Sequence, residues 1–250
     1  MDSKKTDRIP LEWTSLLPSK MTNSLIVKIA FVLDCTGSMD PWIYEAKTKI
    51  QEIVTSSEVP PGAQFEIAVV AYRDYGDVVR RRIIDFTGPH EAEHFLQNIY
   101  AEGGDDEAED VAGALDRVCG LTWGPSDVRM VFHIADAPAH GRMFHAPQVS
   151  DRFPDGDPEG KNPRDSLRHL AYQDVKFTFV RITTSTDMMI GVFDEIYRRE
   201  GGEFVVIDLH PQSYNGEYGV RHGNMSDLLF PAVTQVVSAT VSRHTSSQGR

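Results

Sequence analysis

Cysteine is scarce in this chain: Cys35 and Cys119 are the only two in 250 residues, at no spacing that suits metal ligation. That excludes a disulfide framework and a thiolate metal site, and it fits two small, reduced, buried thiols. Basic residues are also short. Against 37 Asp and Glu stand 25 Lys and Arg, a formal net charge of −12. No cationic excess is left to neutralise nucleic-acid phosphates or to meet an anionic membrane surface. Long apolar runs are missing as well, the longest being about half of the ~20 residues a membrane span needs. The opening MDSKKTDRIPLEWTSLLPSK lacks the apolar centre of a signal peptide. These absences lead to the expectation of a cytoplasmic, soluble protein, with no sign of oligomeric state.

What is present is an alternation of strand and helix patterns. Residues 1–23 read as a polar arm, 24–240 as one domain and 241–250 as a disordered tail. The run 25-LIVKIAFVL-33 is nearly continuous in Leu, Ile, Val and Phe, as a strand buried on both faces requires. It ends in Asp34-Cys-Thr-Gly-Ser-Met, and a helix follows over 41–55, opened by Pro41. Strands at 65–74 and 82–87 around Gly76 read as a hairpin, which puts one antiparallel edge strand on an otherwise parallel sheet. Arg80, Arg81 and Arg82 read as a charge guard for that edge. Helices are expected at 90–102, 107–120, 165–173, 187–199 and 226–240, and further strands at 128–136, 175–182 and 203–209. The fold class is α/β: a doubly wound, mostly parallel central sheet with helices on both faces.

In such a sheet ligands bind beyond the carboxyl ends of the strands, where strand order reverses. Asp34 and Asp136 each end a strand, and the loop 103-GGDDEAED-110 has to reach over the same crevice. Asp34, Asp40, Asp105, Asp106, Glu107, Glu109, Asp110 and Asp136 would then repel one another unless a cation sat among them. Carboxylates and hydroxyls are hard donors that suit Mg2+, or else Mn2+ or Ca2+. Alternate positions 34, 36 and 38 present Asp, Thr and Ser oxygens on one side of an extended loop, with Gly37 between them.

Asp34-Cys-Thr36-Gly-Ser38 resembles the Asp-x-Ser-x-Ser signature of von Willebrand factor A (vWA) domains, which opens a metal-ion-dependent adhesion site. Together with 71-AYRDYGD-77, 103-GGDDEAEDVAGAL-115, 133-HIADAPAHG-141 and 153-FPDGDPEG-160, it resembles the vWA domain of the alpha-kinase group over roughly residues 25 to 210. The resemblance implies a vWA fold related to the Rossmann arrangement, with Asp34, Thr36, Ser38 and Asp136 as metal ligands. The second loop lacks the usual Thr and offers Asp106 in its place, with Asp105 and Asp110 as alternatives. An Asp there would hold the ion more tightly and leave it less electrophilic. The 40 residues after 210 cannot hold a kinase domain.

The function expected is divalent-cation-dependent protein binding, in which an Asp or Glu of a protein ligand completes the coordination. Asp105, His140 and His145 are candidate partner contacts, and the loop 137–163 shapes the surface around them. His140 and His145 have no third nitrogen or sulfur ligand nearby in sequence, so they give no zinc site. Asp155, Asp157 and Glu159 only partly match a calcium loop and read as a capping loop. His133 reads as a core histidine. A metal-assisted hydrolase using the same ion, or a regulatory vWA portion of an alpha-kinase-related protein, is the alternative. Thr36 stands where an Asp-nucleophile phosphatase needs a second acid, and no nucleophile or general base is evident.

Overall fold

A computed structural model describes residues 24–210 and 228–248. Its strands are β1 (Ile26–Asp34), β2 (Gln64–Tyr72), β3 (Arg81–Thr87), β4 (Val128–Ala135), β5 (Lys176–Arg181) and β6 (Phe204–Asp208). They form one sheet in the order β3-β2-β1-β4-β5-β6. Only β3 runs antiparallel, paired with β2 as the hairpin reading expected. The helices are α1 (Asp40–Ser56), α2 (Pro89–Leu96), α3 (Val111–Cys119), α4 (Pro163–Tyr172), α5 (Asp187–Arg199) and α6 (Leu229–Gln248).

The apolar run of β1 divides by the period of a strand. Val27, Ile29, Phe31 and Leu33 face Trp42 and Ile43 of α1 and Phe230, Val233 and Val237 of α6. Ala30 and Val32 point to the other layer, where α3, α4 and α5 pack through residues such as Leu115, Leu167 and Phe193. Each such side chain, once buried, contributes about 1.5–3 kcal/mol. Both faces of the strand are therefore apolar, which is why it shows no alternation. The parallel strands leave their carboxyl ends together, and β1 lies between β2 and β4, so the loops after all three meet at one place.

Three boundaries differ clearly from the sequence reading, the first being the helix expected at 90–102, which ends at Leu96. The helix expected at 107–120 begins at Val111, because Asp110 caps it by accepting from Gly113 N at 2.9 Å. Residues 241–248, read as a disordered tail, continue α6, whose Val241 is buried against the sheet. The arm 1–23 lies outside the described residues. No helix among the described residues is long and apolar enough to cross a membrane.

Candidate functional site

Asp34 is the last residue of β1 and Asp136 follows β4, its immediate neighbour in the sheet. Hydrogen bonds then fix the loops relative to one another. Glu102 N and the Arg73 guanidinium Nε both donate to Cys35 O, at 3.1 Å each. Arg73 also donates to Val79 O and Tyr100 O, at 2.9 and 2.6 Å. One buried cation thus ties the loop after β1 to the β2–β3 hairpin and to the segment after α2. Gly37 N donates to Gly103 O at 3.4 Å, and Glu109 N donates to Pro138 O at 2.9 Å, joining the second loop to the first and third. Gly103 has a φ of +87°, and a Cβ there would lie 2.0 Å from Asp77 Oδ1, so only glycine fits. The backbone oxygen of Asp136 accepts from Thr183 and Ser185 hydroxyls, the latter at 3.1 Å.

Within this frame, Asp34 Oδ1 accepts from Thr36 N at 3.0 Å and from Thr36 Oγ1 at 2.8 Å. The exposed Ser38 hydroxyl hydrogen-bonds the Asp136 carboxylate. Three buried carboxylate oxygens nearby have no donor: Asp34 Oδ2, Asp136 Oδ1 and Glu109 Oε2. Burial raises the Asp34 pKa and the charge of Asp136 adds to it. Glu109 is raised by burial and then by Asp34, Asp74 and Asp77. Asp136 is raised by burial, with the Ser38 bond acting against it. A pocket of acceptor atoms without donors is what a hard cation requires, and these oxygen donors fit Mg2+, Mn2+ or Ca2+.

Glu109 was missed as a site residue because it stands one position before the helix cap and looked like one acid among five. Asp110, in contrast, is withdrawn from the crevice, as cap to α3 and partner to Arg81 at 2.7 Å. Asp105 is exposed and pairs with Arg152 at 3.2 Å. Asp106, the expected second-loop ligand, is partly buried and also leaves one carboxylate oxygen, Oδ1, without a donor. It accepts from Arg152 N at 2.6 Å and faces Asp74 and His140.

His140 and His145 do not present rings to a partner as expected, since both are 4% exposed. His140 bridges Asp74 (Nε2 to Oδ1, 2.6 Å) and Asp151 (Nδ1 to Oδ1, 2.7 Å), while His145 Nε2 meets Asp151 Oδ2 at 2.8 Å. Asp106, His140 and Asp151 bring one potential metal-ligating atom each within 4.8 Å of one another. His133 is a core residue: Nε2 meets Tyr72 OH at 2.8 Å, and burial pushes its pKa down to about 3. The arginines of the edge do more than guard it, because Arg80 and Arg81 pair with Asp110 and Glu159.

Residues 28–147 match the family model described as von Willebrand factor A domain. The alpha-protein kinase vwkA of Dictyostelium discoideum is 29% identical over 242 residues, 95% of this chain and 36% of that protein. The chain therefore spans little more than a third of that relative's length. The vWF domain of the type V pili tip protein Mfa5 from Porphyromonas gingivalis superposes with a TM-score of 0.51 at 9% identity, covering 87% of this chain and 97% of that one. The pilus adhesin SpaC from Lactobacillus rhamnosus GG gives 0.53 at 9%, covering 86% and 30%. At such identities the likeness speaks to fold alone.

Proposed function

This chain carries a von Willebrand factor A domain, and on that premise we propose that it is a protein-binding module dependent on a divalent cation. The observation that supports this is the set of three buried, donor-less carboxylate oxygens on three different loops, Asp34 Oδ2, Glu109 Oε2 and Asp136 Oδ1. Asp34, Thr36, Ser38 and Asp136 would hold the ion, with Glu109, whose pKa is raised by burial and by the Asp34 charge, as the second-loop carboxylate. A bound Mg2+ or Mn2+ would supply the positive charge that an acidic side chain of a partner protein needs at this crevice.

The chain's own residues set the rest. Thr36 holds one oxygen of Asp34 and turns the other inward. Thr183 and Ser185 fix the Asp136 backbone from the loop before α5. Arg73 keeps three loops in register from below. Ser38 lies at the exposed rim, and the loop 137–163 borders it. A carboxylate from Glu109, where a hydroxyl would carry no charge, would strengthen ion binding and weaken its pull on a partner.

Thermal unfolding of the protein with Mg2+, Mn2+, Ca2+ or chelator tests the reading. An ion at about 100 times its dissociation constant adds about 2.7 kcal/mol to stability, and Asp34→Ala loses that gain. No shift in the unaltered protein at millimolar ion, or the same shift in both, overturns it. So would turnover of simple phosphoesters that Asp34→Ala abolishes, since the site would then be catalytic.

A further inference from the structure

Beside the crevice, three acids and two histidines form a second polar cluster, and counting hydrogen-bond donors separates their roles. Asp151 is saturated. Its Oδ1 accepts from His140 Nδ1 and Phe153 N, at 2.7 Å each, and its Oδ2 from His145 Nε2 and Gly141 N, at 2.8 Å each. Asp74 is not. It is 1% exposed, its Oδ1 meets only His140 Nε2 at 2.6 Å, and its Oδ2 has no donor. Asp106 Oδ2 takes Arg152 N at 2.6 Å, and its Oδ1 is buried with no donor. Burial raises the Asp106 pKa, and the directly facing Asp74 carboxyl adds to it. Two buried acceptor-only oxygens, Asp74 Oδ2 and Asp106 Oδ1, are therefore left without a donor beside the His140 imidazole.

We propose that Asp74, Asp106 and His140 Nε2 form a second cation site, distinct from the Asp34–Asp136 crevice and suited to a borderline ion such as Zn2+ or Co2+. The donor set decides the class: one imidazole nitrogen with two carboxylates favours such ions, where the all-oxygen crevice favours Mg2+. Asp151 is the positioning residue. Held by two backbone N–H groups and His145, it fixes the His140 ring through Nδ1 and leaves Nε2 toward the acids, the arrangement by which carboxylates orient metal-bound histidines. No third nitrogen or sulfur stands near His140 and His145 in sequence, and the second and third donors to this site are carboxylates 66 and 34 positions from His140 in the chain.

The test is a titration of metal-free protein with Co2+ in millimolar Mg2+, followed by visible absorption and by the equivalents bound. One equivalent of Co2+ is expected in the unaltered protein. His140→Gln and the more conservative Asp74→Asn are each expected to weaken it at least tenfold, and Asp136→Asn to leave it in place. In the unaltered protein, Zn2+ should shift the Nε2 resonance of His140, a readout that needs no variant to fold. Failure to bind Co2+ in the presence of Mg2+ overturns the proposal. A Co2+ equivalent lost in Asp136→Asn but kept in Asp74→Asn also overturns it. The crevice reading stands or falls separately, on the Mg2+ response of Asp34→Ala.

Discussion

Two sets of acids sit at the same end of the sheet and differ in what answers their charge. Asp110 receives Gly113 N, Arg81 at 2.7 Å and Arg80 at 3.4 Å. Asp157 accepts from the backbone N–H of Glu159 and Lys161, at 2.9 Å each, and from the Tyr75 hydroxyl. Glu159 is held down to about 2 by its bonds to Lys161 and Arg80. In the crevice, by contrast, Asp34, Glu109 and Asp136 are all pushed up by burial, with no Lys or Arg among the described residues paired to them. A count of acids in the sequence does not separate the sets. The donors around them do, and the set without internal counter-charge is where an external ion has work to do.

The largest effect should come from breaking the compensated set. Asp110→Ala removes a helix cap and leaves Arg81, whose side chain is 8% exposed, with only Glu159 at 3.7 Å. A loss on the order of 3 kcal/mol is expected in denaturant unfolding, identical with and without Mn2+. A loss that Mn2+ restores would merge the two sets into one. In the crevice the pattern inverts. Asp136→Asn in chelator should leave stability unchanged or slightly higher, since it removes one of the repelling charges. It should also abolish the gain of about 2.7 kcal/mol that saturating ion gives the unaltered protein. A metal-free loss as large as that of Asp110→Ala would show that the crevice carboxylates are paired after all.

Acids raised and acids lowered by the fold have pH signatures of opposite sign, and Asp110, raised by burial against Arg81 and Arg80, falls on the same side as the crevice acids. Acids raised in the fold contribute stability that is present below their unfolded pKa, about 4, and is lost as pH rises through the folded value. Asp34, Glu109 and Asp136 belong here, and His140, raised by Asp74 and Asp151 against its burial, adds the same slope above 6.5. Acids lowered in the fold, Glu159 and Asp151, both at about 2, lose their contribution only as pH falls below about 4. Metal-free protein should therefore be most stable near pH 4 to 5 and decline toward neutrality. Glu109→Gln should flatten that decline, and so should Mn2+. An unfolding midpoint that rises steadily from pH 5 to 7 in chelator would contradict the assignment.

Much of this was legible in advance, for identifiable reasons. A strand buried on both faces announces itself by an unbroken apolar run, so β1 and the Asp34 turn could be read directly. The neighbourhood of Asp34 and Asp136 followed from the rule for sheet ends. The second loop was harder. Glu107, Glu109 and Asp110 are chemically alike in a list, and only the start of α3 decides that Asp110 turns away as its cap while Glu109 turns in. Arg73 could not be assigned at all, because three of its acceptors are backbone carbonyls of Cys35, Val79 and Tyr100, which carry no side-chain signature, and the fourth is the exposed Glu102 at 3.1 Å. Burial of His140 and His145 was hidden for a related reason: it depends on Asp151, placed by a Gly-rich loop with no regular period.

The smallest expected effect sharpens the comparison at its outer limit. Asp155 is 89% exposed and bonded to Arg142, itself 69% exposed. Such a pair is worth at most about 1 kcal/mol, so Asp155→Asn should move the unfolding midpoint only slightly. The same variant also tests the calcium-like spacing of Asp155, Asp157 and Glu159. Asp157 and Glu159 are tied to each other through the Glu159 and Lys161 N–H groups and to Tyr75 and Arg80, whereas Asp155 goes to Arg142 and shares none of those bonds. Asp155→Asn should leave any Ca2+ response of the protein intact. A Ca2+ shift lost in this variant would mean that exposed, individually paired acids can still converge on an ion, and donor counting would no longer distinguish the two sets.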